Sequence, residues 1–127
     1  MSRQAISAPG AAAIGPYSHA VKANGLVFLS GQTAIDPATG RLVDGDVARQ
    51  TRQCLANLFG VLAAAGLTAD DVVNVQVYLT DMNDFEKMNA VYAEHFARPY
   101  PARTTIGCAS LPLRARVEIG MIAQAPA

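Results

Sequence analysis

The sequence lacks most of the residues from which metal and disulfide sites are built. Its 127 residues include two cysteines, two histidines and no tryptophan. Cys54 and Cys108 stand apart without CxxC spacing, which argues against a disulfide framework and against a zinc site. His19 and His95 are too few and too scattered to build a metal site. We therefore expect no bound metal.

Charge is also scarce, and it is balanced. Charged residues make up 16% of the chain, and ten Lys and Arg offset ten Asp and Glu. A neutral chain offers no field that attracts nucleic-acid phosphates or anionic lipid. An aromatic content of 6% provides no stacking platform for single-stranded RNA. We expect neither nucleic acid nor a membrane as a partner.

Long apolar runs, repeats and linkers are absent as well. No stretch approaches the roughly 20 apolar residues that span a bilayer, and the first ten residues, MSRQAISAPG, lack the apolar core of a signal peptide. These features predict a cytoplasmic protein of one domain, residues 1–127. Hydrophobic residues make up 51% of the chain, which suffices for one core and suggests that other subunits cover some of the surface.

Strand and turn signals dominate the N-terminal third. A loop rich in Gly, Pro and Ala at 8–18 contains Tyr17. Asn-Gly is the strongest short hairpin signal, and here it separates two apolar runs. Strands are predicted at 3–7, 19–23 and 26–30, and turns at 24–25 and 36–40.

Two helices are predicted from apolar residues at helical spacing. The first covers residues 47–65, with Asp46 as its N-cap and Gly66 just after its C-cap. The second covers residues 84–96, and we expect Asn83 to cap it and to begin a capping-box pattern. The apolar stripe of this second helix consists of Phe85, Met88, Tyr92 and Phe96.

The segment between the helices, VVNVQVYLT, alternates as a strand does. Its valines and leucine, from Val73 to Leu79, are expected to face the core. Asn74, Gln76 and Thr80 would form an uncharged polar face that suits a protein interface better than open water. The order of elements predicts an α+β domain, with two helices packed on one face of a mixed sheet of about six strands.

Two charged side chains interrupt the apolar C-terminal strands PARTTIGCASLP and RVEIGMIA. Ile106 and Cys108 look core-facing, so alternation predicts that Arg103 and Glu118 both point away from the core. An arginine can hold a carboxylate in bidentate geometry, and a glutamate can position a water or take its proton. The alternative is a surface ion pair worth about 0–1 kcal/mol.

Three further polar residues are candidates for a site. Asn89 lies within the apolar stripe of the second helix, where an unsatisfied amide costs about 1–3 kcal/mol. Ser30 precedes Gly31, where a hydroxyl meets an approachable backbone, and Tyr17 lies in the Gly/Pro loop. Each also has a purely structural interpretation: a core hydrogen bond, a strand end and a packing aromatic.

Four segments in order resemble the RidA/YjgF family of small trimeric enamine/imine deaminases, also known as the endoribonuclease L-PSP family. They are IGPYSHAV at 14–21, LVFLSGQTAIDPATG at 26–40, NDFEKMNAVYAEHF at 83–96, and YPARTTIGCASLP followed by VEIGMIA at the C-terminus. The resemblance implies a chorismate-mutase-like α+β fold and a homotrimer with sites between subunits. It also implies hydrolysis of reactive 2-enamino or 2-imino acids, such as 2-aminoacrylate, 2-iminopropanoate and 2-iminobutanoate, to 2-keto acids and ammonia, without a cofactor.

The resemblance also implies a role for each candidate residue. Arg103 would grip the substrate carboxylate, and Glu118 would orient the attacking water. Thr105 would offer backbone groups, while Tyr17, Ser30 and Asn89 would line the pocket, Tyr17 and Asn89 closing it across the subunit boundary. A ligand-binding module without turnover and a ribonuclease or translation inhibitor are the alternative functions.

Overall fold

Eight strands and two α-helices occur in the part of the chain that the computed structural model describes, residues 3–8 and 15–125. The predicted loop at 8–18 falls partly on residues 9–14, outside the described residues. The helices are α1 (Val47–Ala64) and α2 (Phe85–His95). The strands are β1 (Gln4–Ile6), β2 (Ala20–Ala23), β3 (Leu26–Gln32), β4 (Ile35–Asp36), β5 (Arg41–Leu42), β6 (Val72–Leu79), β7 (Ala102–Gly107) and β8 (Val117–Gln124).

Six of these strands form one mixed sheet in the order β1-β2-β3-β8-β6-β7. Neighbouring strands of this sheet are antiparallel, except that β6 and β7 run parallel because α2 connects them. The predicted α+β architecture with two helices and a six-stranded sheet is confirmed. Strands β4 and β5 pair separately as a short ribbon, in a region where the sequence indicated only a turn.

The hairpin between β2 and β3 turns at Asn24 and Gly25, as predicted. Both residues have positive φ angles, 50° and 76°. A type I′ turn needs this combination, and its twist matches that of the flanking strands.

Helix α1 begins at the predicted residue and ends at Ala64, one residue before the predicted end, with Asp46 and Gly66 in the predicted capping positions. The Asp46 carboxylate accepts a hydrogen bond from the Arg49 N–H at 3.2 Å. At the other end Gly66 has a φ of 75°, and the Leu67 N–H donates to the Leu62 carbonyl at 2.9 Å. This pattern of a left-handed residue and a returning hydrogen bond is the Schellman motif.

Helix α2 begins differently, and the predicted cap at Asn83 is wrong. The Asp81 carboxylate accepts the Asn83 N–H at 2.9 Å, so Asn83 lies inside a 3₁₀ turn, Met82–Asp84. The α-helix starts only at Phe85. The Asp81 carboxylate thus binds the N–H that the Glu86 side chain would have bound in the predicted capping box.

The core lies between the helices and one face of the sheet. Val73 is an exception to the predicted alternation: it is 42% exposed, because the pairing of β6 with β8 shifts between Val72 and Asn74. Neither helix in the described ranges is both long and apolar enough to cross a bilayer. The largest fully buried side chains are Leu55, Leu58, Leu62, Leu79, Met88, Ile119 and Met121.

Candidate active site

Arg103 and Glu118 lie on opposite faces of the sheet, so the prediction that both point away from the core is wrong for Arg103. Arg103 pairs with Val75, which is fully buried beneath the helices. Glu118 pairs with Tyr78 and lies between the buried residues of β8, on the face without helices. Residues directly opposite each other in neighbouring strands share a face. A surface ion pair between these two side chains is therefore also excluded.

The error arose from the assignment of Ile106 and Cys108 to the core. Ile106 pairs with Tyr78 on the face without helices and is 46% exposed. Cys108 is half-buried beyond the end of β7, where its thiol contacts the Leu79 carbonyl at 3.6 Å. Strand β7 lies at the sheet edge, and apolar side chains there do not reveal which face the helices cover.

Glu118 lines a cavity of about 360 Å³ at the junction of β3 and β8. Leu29 and Gln32 of β3 pair with Met121 and Ile119, so two residues of β3 stand opposite one residue of β8. Such a bulge re-aims side chains and is frequent beside functional sites. The cavity is lined by Tyr17, Ser30, Gly31, Gln32, Thr33, Ile35, Pro112, Leu113 and Glu118.

Ser30 connects this bulge to the loop that carries Tyr17. Its hydroxyl donates to the Ser18 carbonyl at 2.6 Å, and its backbone N–H donates to the His19 carbonyl at 2.9 Å. The Ser30 side chain therefore holds the loop in place, and its oxygen can only accept from a ligand. This pair of bonds places the Tyr17 ring at the cavity.

Gly31 gives the Glu118 carboxylate its space. A Cβ at position 31 would lie 2.5 Å from Oε2 of Glu118. Among the described residues the Glu118 carboxylate has neither a hydrogen-bond partner nor an ion pair. Burial without such a partner raises the pKa of this carboxyl.

Arg103 lines a second cavity, of about 420 Å³, between β7 and α2. Its guanidinium carbon lies 4.6 Å from the ring centre of Tyr92 and 5.7 Å from that of Phe85. No carboxylate pairs with it in the described ranges, although three other ion pairs occur there. The other residues lining this cavity are Asn89, Tyr92, Ala93, Tyr100 and Pro101.

The chain divides the predicted site into two groups. Tyr17, Ser30 and Glu118 share the first cavity, whereas Asn89 and Arg103 share the second. Thr105 lies on the same face as Arg103 but lines neither cavity, and its buried hydroxyl has no partner in the part of the chain that the structure describes.

Several residues that line the two cavities were not predicted from the sequence. Gly31 leaves the space that the Glu118 carboxylate occupies. Its position directly after Ser30 was the one sign in the sequence that it belongs to the site. Tyr92 was assigned only to the core stripe, because a buried aromatic at helical spacing gives no sign of a cation on its other side. Tyr100 and Leu113 carry no motif.

The two cavities hold complementary chemical groups. The guanidinium in the second has its donors available for a carboxylate, and the carboxylate in the first can hold a water or accept its proton. Within residues 3–8 and 15–125, no three His, Cys, Asp or Glu side chains are grouped so that they could hold a metal ion.

Comparison with known proteins gives the family. The family model of endoribonuclease L-PSP matches residues 5–125. A RutC family protein of Pyrococcus horikoshii is 52% identical over 110 residues, which are 87% of each chain. The 2-iminobutanoate/2-iminopropanoate deaminase of Bos taurus is 46% identical over 117 residues, 92% of this chain and 85% of that protein.

Solved structures agree with this result. RidA from an Antarctic Psychrobacter is 41% identical and superposes with a TM-score of 0.92 over 96% of this chain and 99% of that one. The chain therefore belongs to the endoribonuclease L-PSP family, the RidA/YjgF family that its motifs indicated. Two relatives of this chain, at 46% and 45% identity, carry the name 2-iminobutanoate/2-iminopropanoate deaminase.

Proposed function

We propose that this protein hydrolyses small 2-imino acids, and their 2-enamino tautomers, to 2-keto acids and ammonia. The observation that carries the proposal is the pair of unpartnered, complementary groups: the Arg103 guanidinium in one cavity and the Glu118 carboxylate in the other. A 2-imino acid has a carboxylate that suits the Arg103 guanidinium and an electrophilic carbon that needs only a water positioned by Glu118. The names of the relatives support the same substrate class.

We further propose that the working site forms between subunits of a homotrimer. Because Arg103 and Glu118 lie on opposite faces of the sheet in one chain, a site that contains both requires two chains. The face of the sheet without helices carries Phe28 and Ile106, which are 42% and 46% exposed. Apolar side chains of this size on one sheet face favour coverage by another subunit.

The reaction follows from the roles of the two groups. Arg103 binds the substrate carboxylate and thereby places C2 near the water held by Glu118. The water oxygen bonds to C2, the electron pair of the C=N bond moves to nitrogen, and Glu118 takes the water proton. Glu118 returns that proton to nitrogen, which gives a carbinolamine with a hydroxyl and an amino group on C2. The hydroxyl proton then moves through Glu118 to the amino nitrogen, the C2–N bond breaks with its electron pair going to nitrogen, and ammonia leaves as C2 and the oxygen form the ketone double bond. Orientation supplies much of the rate because the imine carbon is already electrophilic.

The experiment is a coupled assay in which a serine or threonine dehydratase generates 2-aminoacrylate and pyruvate release is followed. We expect the protein to accelerate pyruvate release in proportion to its concentration, above the spontaneous rate. No acceleration by pure protein would refute the proposal. Saturable binding of a keto acid without acceleration would instead identify a ligand-binding module, and RNA cleavage by highly purified protein a ribonuclease.

Arg103→Ala should abolish the acceleration at low substrate concentration while the assembly stays intact. Arg52→Ala is the matched control, because Arg52 forms an exposed ion pair with Glu94 at 3.5 Å and lines neither cavity. If Arg103→Ala and Arg52→Ala were equally active, Arg103 would not bind the carboxylate.

A further inference from the structure

The Arg103 guanidinium is held by aromatic rings instead of an acid. Its carbon lies 4.6 Å from the centre of the Tyr92 ring and 5.7 Å from that of Phe85. Both rings belong to α2 and stand two helical turns apart on one side of it. In the described part of the chain, Arg103 forms no ion pair and no hydrogen bond through its side chain.

Contact with aromatic rings, in place of a carboxylate, leaves the Arg103 guanidinium able to bind a substrate carboxylate. A carboxylate would orient the guanidinium, but it would also occupy the N–H fork and neutralise the charge that a substrate carboxylate needs. An aromatic face attracts a cation through the quadrupole of its π system and uses none of the N–H donors. Arg103 is thus oriented and still fully charged.

Tyr92 is the ring better suited to this role, because its own position is fixed. It is 5% exposed, and its ring centre lies 4.7 Å from that of Phe96, the residue one turn further along the chain. Phe96 in turn meets Phe59 of α1 edge-on, at 5.8 Å and 84°. Edge-on and tilted contacts of this kind are the favourable geometries for aromatic pairs. Its burial and its direct contact with Phe96 therefore hold the Tyr92 ring in place.

The Tyr92 hydroxyl takes no part in holding Arg103. It is buried and has no hydrogen-bond partner in residues 3–8 and 15–125. Burial raises the pKa of this hydroxyl more than the Arg103 charge lowers it, so the ring stays neutral at physiological pH. A phenylalanine ring would offer Arg103 a comparable face.

We propose that Tyr92 is a positioning residue for substrate binding: its ring holds the Arg103 guanidinium in the orientation that receives the substrate carboxylate, without occupying its donors. This inference rests on the proposed deaminase function for its kinetic readout. The mechanism predicts an effect on KM, because the arginine grips the carboxylate equally in the substrate and in the transition state.

The test compares Tyr92→Phe with Tyr92→Leu in the dehydratase-coupled assay. We expect Tyr92→Phe to keep the KM of the wild type, and Tyr92→Leu to raise it roughly three- to thirtyfold with kcat little changed. Phe59→Leu is the control for loss of a ring from the same aromatic stack, since Phe59 contacts Phe96 and does not touch Arg103. It should keep the wild-type KM whatever it does to the melting temperature.

A spectroscopic readout separates positioning from general damage. The Arg103 Nε–H resonance should carry a ring-current shift in wild-type protein and in Tyr92→Phe, and should lose it in Tyr92→Leu. An unchanged KM in a folded Tyr92→Leu, or a raised KM in Tyr92→Phe, would overturn the inference, the latter because the hydroxyl itself would then bind substrate. Wild-type protein without turnover would instead refute the proposed function, and the resonance shifts, together with the dissociation constant for pyruvate, would still decide the role of Tyr92.

Discussion

The Glu118 carboxylate occupies the space that a side chain at position 31 would take. A Cβ on Gly31 would lie 2.5 Å from Oε2 and 3.0 Å from Cδ of Glu118. Gly31 also sits in the bulge of β3 opposite Gly120, whose own added Cβ would lie 3.6 Å from the Gly31 Cα. Gly31 thus leaves room for the half-buried Glu118 carboxylate, and Gly120 leaves room for the backbone of Gly31.

Gly31→Ala should therefore impair activity more than stability. The atom that clashes is the far end of a flexible side chain, so Glu118 can rotate away at small cost to folding. A displacement of about 1 Å in a reacting group can lower the rate about a hundredfold. We expect kcat to fall by one to two orders of magnitude on that basis, with a melting temperature within a few degrees of wild type. Unchanged kcat would show that the carboxylate position does not matter.

Two glycines of α1 and its C-terminal cap, Gly60 and Gly66, allow a matched pair of substitutions with opposite expected effects on stability. Gly60 lies exposed inside α1 with nothing within 4 Å of an added Cβ, whereas Gly66 has a φ of 75°. Gly60→Ala should stabilise the fold by about 0.5–1 kcal/mol, because alanine is the better helix former. Gly66→Ala should destabilise it by about 1 kcal/mol, because the left-handed conformation disfavours a side chain. Chemical denaturation measures both changes, and kcat should stay unchanged in each.

Subunit complementation should show whether Arg103 and Glu118 of different chains form one site. In the proposed homotrimer, Arg103→Ala and Glu118→Gln are each expected to be inactive when all three subunits carry the same substitution. In a random equal mixture of subunits about three quarters of the trimers are mixed, and each mixed trimer has one intact site of three, which predicts about a quarter of the wild-type activity. The measurement is turnover after co-refolding or co-expression.

The control for complementation is a mixture of preformed trimers that do not exchange subunits, which should remain inactive. A site contained within one chain predicts no recovery at all, since every chain lacks one of the two groups. That outcome would contradict the shared site.

Activity should be lost on acidification at a higher pH than it would be if Glu118 had the pKa of an ordinary glutamate. Burial raises the pKa of its carboxyl, and in the proposed mechanism protonation removes the group that takes the water proton. Activity should fall as the pH drops through this raised pKa. Glu118→Gln should lower kcat by about two to three orders of magnitude and abolish the acid limb. The measurement is kcat against pH after subtraction of spontaneous imine hydrolysis.

The same carboxylate should reduce stability at neutral pH. Its pKa in the folded protein lies above that in the unfolded chain, so the folded state binds the proton more tightly. The destabilisation is full above the folded pKa, declines as the pH falls through it and vanishes below the unfolded pKa. Glu118→Gln should accordingly melt slightly higher than wild type at neutral pH, with the difference shrinking in acid. A lower melting temperature at neutral pH would contradict this.

Local features of the fold could be predicted because their causes are local. The Asn24-Gly25 turn, the Asp46 cap and the left-handed Gly66 each depend on residues within a few positions of one another. The cap of α2 was mispredicted for the same kind of reason, since Asp81 binds the N–H of Asn83 first. Where two nearby side chains compete for one donor, a motif alone does not say which wins.

The sequence by itself determined the two helices, the α+β class and the family, and it singled out Arg103 and Glu118 as candidate site residues. Tertiary structure alone decided their placement. Alternation orders side chains along one strand, but only the pairing of Arg103 with Val75 and of Glu118 with Tyr78 shows which face each occupies. A face is recognised by what packs on it, and the residues that do so, such as Tyr92 on Arg103, are distant in the chain or belong to the neighbouring element.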